Sequence, residues 1–174
     1  LFRSTEKGAW KPPLPPLPRT KLVDAKTLST WLKTDSNTIV IDLSTHANYV
    51  KGHIPGSWYA LRSQLADALS IIPEVDRYIL TSNPSELAYF AAHELEKLTQ
   101  AEVLVLDGGT QSWTRHGLEL EKGASHLASP ALDRYKRPYE GTSVDPKAMQ
   151  AYLDWEFGLV EQLGKDGTHH FWVL

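Results

Sequence analysis

The chain has 174 residues with 18 Lys+Arg against 21 Asp+Glu, a net charge of −3, so it is sized for one domain with appendages and lacks the basic surplus that phosphate backbones select. It contains no cysteine, which excludes disulfides, thiolate metal sites, iron–sulfur clusters and a thiol nucleophile. A mean hydropathy of −0.33, with no run of about 20 apolar residues, gives no membrane-spanning helix, so neither nucleic acid nor membrane is an expected partner and the expected location is cytoplasmic.

Residues 1–20 read as a linker. Prolines crowd Pro12-Pro13-Leu14-Pro15-Pro16-Leu17-Pro18, a run that prefers the extended polyproline II form and acts as a semi-rigid spacer. The start at Leu1-Phe2-Arg3-Ser4 has no initiating Met, as expected of a piece of something longer. Asp24 then caps a helix that carries Leu28, Trp31 and Leu32 on one face and ends at Thr34-Asp35-Ser36-Asn37. Thr38-Ile39-Val40-Ile41-Asp42 is a short continuous apolar run, the pattern of a strand buried on both faces. Arg77–Thr81 predicts a second strand, Pro84–Leu98 a helix with Leu87, Ala91, Leu95 and Leu98 inward, and Glu102–Leu106 a third strand. Buried strands alternating with helices predict an α/β fold with a parallel sheet and a site at the carboxyl ends of its strands.

After Gly123 the pattern changes. Asp145-Pro146 is a helix start; Met149, Tyr152, Leu153, Phe157, Val160 and Leu163 form an apolar stripe; Gly164 is the expected stop. The stripe and the terminal Phe171-Trp172-Val173-Leu174 are expected to pack against this domain, a neighbouring one or a second copy. The expected organisation is therefore a linker over 1–20, a domain over 21–124, and an extension over 125–174 with a helix at about 145–163.

Three blocks resemble the rhodanese-like, or sulfurtransferase, domain family. The first is Ile41-Asp42-Leu43 followed by Tyr49-Val50-Lys51-Gly52-His53-Ile54-Pro55-Gly56-Ser57. The second is the strand and helix from Tyr78 to Leu98 with Ala91-Ala92, and the third is Val105-Leu106-Asp107-Gly108-Gly109-Thr110-Gln111-Ser112-Trp113. The resemblance implies a three-layer α/β/α fold around a parallel sheet of about five strands. It also marks Asp42, Gly52, His53, Pro55, Gly56, Asp107, Gly108, Gly109 and Trp113 as signature positions. Read from chemistry, His53 between Gly and an Ile-Pro turn is a structural residue, and the other histidines lack metal-ligand spacing, so no metal and no cofactor are expected. More loosely, Arg134-Tyr135-Lys136-Arg137-Pro138-Tyr139-Glu140-Gly141 and the helix after it resemble the end of bacterial multidomain rhodanese proteins.

In active family members a Cys follows the central strand, and its thiolate attacks thiosulfate and carries sulfur to an acceptor. The resemblance implies that Ser82 stands at that position. A serine alkoxide is far too basic near neutral pH to substitute. The loop Ser82-Asn83-Pro84-Ser85-Glu86-Leu87-Ala88 departs in its other residues as well: Pro84 removes an N–H donor and Glu86 repels anions. From the sequence, Asn83, Pro84 and Glu86 read as helix cap, first and third residues, an ordinary strand-to-helix junction. The expectation is a catalytically inactive module of a thiosulfate sulfurtransferase-related protein, partnered by other rhodanese domains of the same polypeptide. Two alternatives are a serine-based hydrolase or phosphoryl-transfer variant using Ser82, and an interaction or homodimerisation module using residues 145–174.

Overall fold

The structure is a computed structural model and describes residues 13–133 and 145–168. The chain divides into two compact units, Leu1–Asp133 and Arg134–Leu174. In the first unit the elements run β1 (Leu22–Val23), α1 (Ala25–Thr34), β2 (Thr38–Asp42), α2 (His46–Lys51), β3 (Trp58–Tyr59), a 3-10 turn (Arg62–Gln64), α3 (Leu65–Leu69), β4 (Arg77–Thr81), α4 (Glu86–Leu95), β5 (Glu102–Leu106) and α5 (Gly109–Arg115). The strands form one five-stranded sheet in the order β1-β5-β4-β2-β3, every pair parallel. This is the α/β three-layer arrangement that the residues predict.

Alternate residues of each strand serve opposite faces, as the pleat requires. Ile41, Leu80 and Val105 pack with Ala88, Ala91, Ala92 and Leu95 of α4 and with Leu65 and Ala68 of α3. Val40, Ile79 and Leu104 pack on the other face with Ala25 and Leu28 of α1 and Trp113 of α5. Both faces are covered, which is why the three long strands read as unbroken apolar runs.

Asp24 caps α1 as the sequence predicts, its Oδ1 accepting from the N–H groups of Lys26 (2.9 Å) and Thr27 (3.0 Å). The start of α4 differs from expectation. Helix begins at Glu86 rather than Pro84, the Ser85 side chain makes no cap bond, and Asn83 caps nothing, its carboxamide oxygen accepting from Gln111 Nε2 instead (3.3 Å). The C-terminal end also comes early, at Leu95 rather than Leu98, because Lys97 and Leu98 close tighter turns onto Glu94 and Leu95. β1 was not legible: two residues suffice because β5 supplies their partners, Leu22 opposite Val105 and Val23 opposite Leu106.

In the second unit, α6 spans Pro146–Asp166, with Asp145 accepting from Lys147 N–H (2.9 Å) at its start. It runs through the expected stop at Gly164, and the left-handed residue that ends it is Gly167 at φ +62°. None of its residues is buried, and Phe157 is 81% exposed. No helix among the described residues is long and apolar enough to cross a membrane. The 134–141 segment that resembles other multidomain proteins, His169-His170 and the apolar end Phe171–Leu174 lie outside the described residues.

Candidate functional site

β2 and β4 lie side by side in register, Thr38 opposite Arg77 and Asp42 opposite Thr81, so their carboxyl ends are level. From there the chain leaves in opposite directions: after β2 it builds β3 at one edge, and after β4 it builds β5 on the other side. Divergent connections leave a crevice between them, the position where open α/β sheets bind ligands. Its walls are the segments after β2 and β4 and the start of α5.

The two segments are tied together by backbone and hydroxyl groups. Leu43 N–H donates to the Thr81 carbonyl (2.9 Å), and Asn83 N–H donates to Ser44 Oγ (2.9 Å). Asp42, at the end of β2, is 1% exposed and its Oδ1 accepts from Ser44 N–H (2.8 Å). Burial pushes this carboxyl above the ordinary aspartate range.

Ser82 is 2% exposed. Its hydroxyl donates to the Pro84 carbonyl (2.6 Å) and accepts from the Ala88 N–H (3.1 Å). Ala88 is the third residue of α4, and its N–H is shared between Ser82 Oγ and the Ser85 carbonyl (3.2 Å) at the helix start. α5 closes the back of this junction. A Cβ on Gly109 would meet the Ser82 carbonyl at 2.5 Å, and Thr81 Oγ1 lies 3.1 Å from Thr110 Oγ1. Gly108 and Gly109, at φ +69° and +59°, make the turn that permits this approach. Ser85, Glu86 and Leu87 are half-buried and Pro84 is exposed.

The other signature residues are brought together elsewhere. His53 is fully buried, its ring stacked on Tyr49 at 3.8 Å, and Nδ1 donates to the Tyr49 carbonyl (2.8 Å). Its Nε2 faces Ser125 Oγ at 3.2 Å, and that hydroxyl lies 2.9 Å from Glu121 Oε1. Gly56, exposed after Pro55 and at φ +73°, donates its N–H to Glu121 Oε2 (3.0 Å). This is a clamp between the segment after α2 and the irregular stretch at 121–125, joined by the isolated His53–Glu121 bridge, with His53 as a packed structural residue. Trp113 Nε1 donates to the Glu119 carbonyl (2.8 Å), and Asp107 N–H donates to the Val23 carbonyl (2.9 Å), joining β5 to β1. Gly52 ends α2 in extended backbone and lies at the crevice beside Leu120.

The crevice measures about 240 Å³. Ser44, Asn48, Lys51, Asn83, Gln111 and Thr114 supply its polar groups. Asn83 and Gly52 belong to the loop and signature residues named from the sequence, and Ser44 and Asn48 stand where the family commonly has a charged pair. Asn48 and Lys51 on α2, and Gln111 and Thr114 on α5, are each spaced three apart, one helical face, and that spacing was the available signal. Arg77, the nearest basic residue in sequence to Ser82, sits at the amino end of β4, 4.1 Å over the Trp31 ring and bonded to Asp35 (3.3 Å), where it cannot reach the crevice. Among the described residues no group of three or more His, Asp or Glu side chains could hold a metal ion.

A thiosulfate sulfurtransferase from Pseudomonas aeruginosa has a crystal structure that matches 97% of this chain at 53% identity, with a TM-score of 0.87; this chain spans 32% of that one. A sulfurtransferase from Allochromatium vinosum is 26% identical over 98 residues, 56% of this chain and 92% of its own. A rhodanese-related protein from Thermoplasma volcanium shares the fold over 58% of this chain and 97% of its own, at 21% identity and a TM-score of 0.51. Residues 24–116, more than half of the sequence and the stretch from α1 through α5, match the rhodanese-like domain family, and the chain belongs to that family.

Proposed function

We propose that this chain is a rhodanese-like domain without sulfur-transfer chemistry of its own, serving as a structural or regulatory module of a longer thiosulfate sulfurtransferase-related protein. Its partners in that role are other rhodanese domains of the same polypeptide. The observation that carries this is the state of Ser82. At the position that the resemblance gives to the nucleophile, the side chain is a hydroxyl, buried, and engaged as donor and as acceptor. Sulfur transfer needs a thiolate that is accessible to its donor. The same two bonds weigh against a serine nucleophile, because no imidazole or lysine takes its proton: the acceptor is the Pro84 carbonyl.

The test is thiosulfate-to-cyanide sulfur transfer by the full-length protein, by a form lacking this segment, and by this chain alone. The chain alone is expected to be inactive. Removing it is expected to lower the activity or stability of the remainder while the other domains stay folded. A remainder unchanged in activity, stability and assembly overturns the proposal. The exposed stripe of α6, with Phe157, Val160 and Trp155 each more than half exposed, supports a second reading as an association module. Sedimentation of the chain across concentrations separates a self-associating protein from a monomer.

A further inference from the structure

The crevice at the switch point of the sheet is open and is lined by polar side chains that the proposed structural role does not use. We propose that it binds a small monocarboxylate that also carries an amide group, with Lys51 facing the carboxylate and the side-chain amides of Asn83 and Gln111 facing the amide. Lys51 is the one charged residue of the lining, and it makes no ion pair with any described residue. No Asp or Glu lines the crevice, and Arg115 adds positive charge behind it, Nη2 bonded to Gln111 Oε1 (3.2 Å). The field therefore favours an anion.

The backbone decides which anion. A multiply charged oxyanion such as sulfate or thiosulfate needs several free N–H groups around it. Here the Asn83 N–H is taken by Ser44 Oγ, the Ala88 N–H by Ser82 Oγ, Pro84 has none, and Ser85, Glu86 and Leu87 do not line the crevice. One exposed ammonium is left, which suits a single negative charge. Asn83 Oδ1 accepts from Gln111 Nε2 (3.3 Å) and Gln111 Oε1 from Arg115, which leaves the Asn83 Nδ2 group and the second Gln111 N–H to donate to an amide's C=O. Leu120, beside Gly52, offers apolar contact for a methylene or methyl group. The 240 Å³ volume equals about eight waters at roughly 30 Å³ each, room for a ligand of this size. A free acylated amino acid and the last residue of a peptide share this chemistry. The inference does not rest on the absence of sulfur transfer, and either can fail without the other.

The probe is N-acetylglycine, titrated into the 174-residue chain with amide NMR shifts as the readout. Saturable shifts are expected at Ser44, Lys51, Asn83, Gln111 and Thr114, with N-acetylglycinamide binding about tenfold more weakly because a charge-assisted bond is lost. Lys51→Gln should erase that difference. Gln111→Glu, nearly isosteric, removes a donor to the ligand's amide and adds a negative charge, so it should weaken both ligands and N-acetylglycine the more, and the spectra themselves report that each variant is folded. No saturable shift, equal binding of acid and amide, discrimination that survives Lys51→Gln, or sulfate binding more tightly than N-acetylglycine overturns the proposal. A tetrapeptide ending in a free glycine carboxylate separates the sources: retained affinity identifies a chain end, and lost affinity identifies a free small acid.

Discussion

Ser82 holds the β4–α4 junction together through two bonds, and one substitution separates that role from chemistry. Ser82→Ala takes the hydroxyl from the Pro84 carbonyl and leaves the Ala88 N–H with only the Ser85 carbonyl (3.2 Å). The expected cost is about 1–2 kcal/mol, the range for losing a helix cap or a buried hydrogen bond. Urea denaturation measures it, and an unchanged midpoint would remove Ser82 from the account of this junction. Ser82→Cys supplies the missing thiol but no open cradle, since Pro84 still lacks an N–H and Glu86 still brings negative charge to the first turn of α4. It is expected to show no thiosulfate-to-cyanide transfer above the parent chain; measurable turnover would show the loop to be competent. Glu121 gives the pH test at this scale. The Gly56 N–H, then the Ser125 hydroxyl, hold its carboxyl below its ordinary value of 4.5. An acid depressed in the folded state stabilises fully above its unfolded value and loses that contribution as pH falls through its folded value. Glu121→Gln should therefore be less stable than the parent above about pH 4.5, and the gap should close below it. A gap independent of pH would mean that the charge does no stabilising there.

Among the elements, the glycines around the site make the sharpest contrast. Gly109 and Gly56 both have positive φ, +59° and +73°, so alanine is strained at either. Only at Gly109 is there also no room, with the Ser82 carbonyl 2.5 Å from where Cβ would lie, whereas at Gly56 nothing lies within 4 Å. Gly56→Ala is expected to cost about 1 kcal/mol and Gly109→Ala about 2–4 kcal/mol, conformational strain plus displacement of a packed backbone. Equal losses by chemical denaturation would mean that α5 yields rather than holds the loop. The same elements show where sequence reasoning stopped. β2, β4 and β5 were legible to the residue because burial on both faces leaves an apolar run that charged ends bound at Arg77 and Glu102. The start of α4 was not. Asn-Pro-Ser-Glu carries a capping pattern, but the group that caps Ala88 is Ser82, six residues back and delivered by the turn of the loop. The crevice was half legible: Asn83 was singled out, but Lys51 and Gln111 come from helices whose meeting depends on strand order.

At the scale of the whole molecule, the sheet and its two apolar layers account for the folding of the first unit. Among the described residues, every buried apolar residue of both layers falls between Val23 and Ala128, and α6 contributes no buried side chain. Burial of apolar surface is the main favourable term in folding, roughly 25 cal/mol per Å², so the residues that supply it set the stability. The useful boundary is Asp133, whose carboxylate accepts the His46 N–H (2.5 Å) at the first turn of α2. A chain ending at Asp133 is expected to unfold in urea in one cooperative step with the midpoint and slope of the main transition of the full chain, because the slope follows the surface exposed by the unit that unfolds. A chain ending at Ser125 loses Ala128 from the apolar layer, the Ala128 N–H bond to the Tyr59 carbonyl (2.9 Å) and the Ser129 Oγ bond to Leu61 N–H (3.0 Å). It should be markedly less stable. If the two truncations were equally stable, the segment after Ser125 would be a passenger on β3. If the Asp133 truncation lost cooperativity, the first unit would depend on residues beyond its own core.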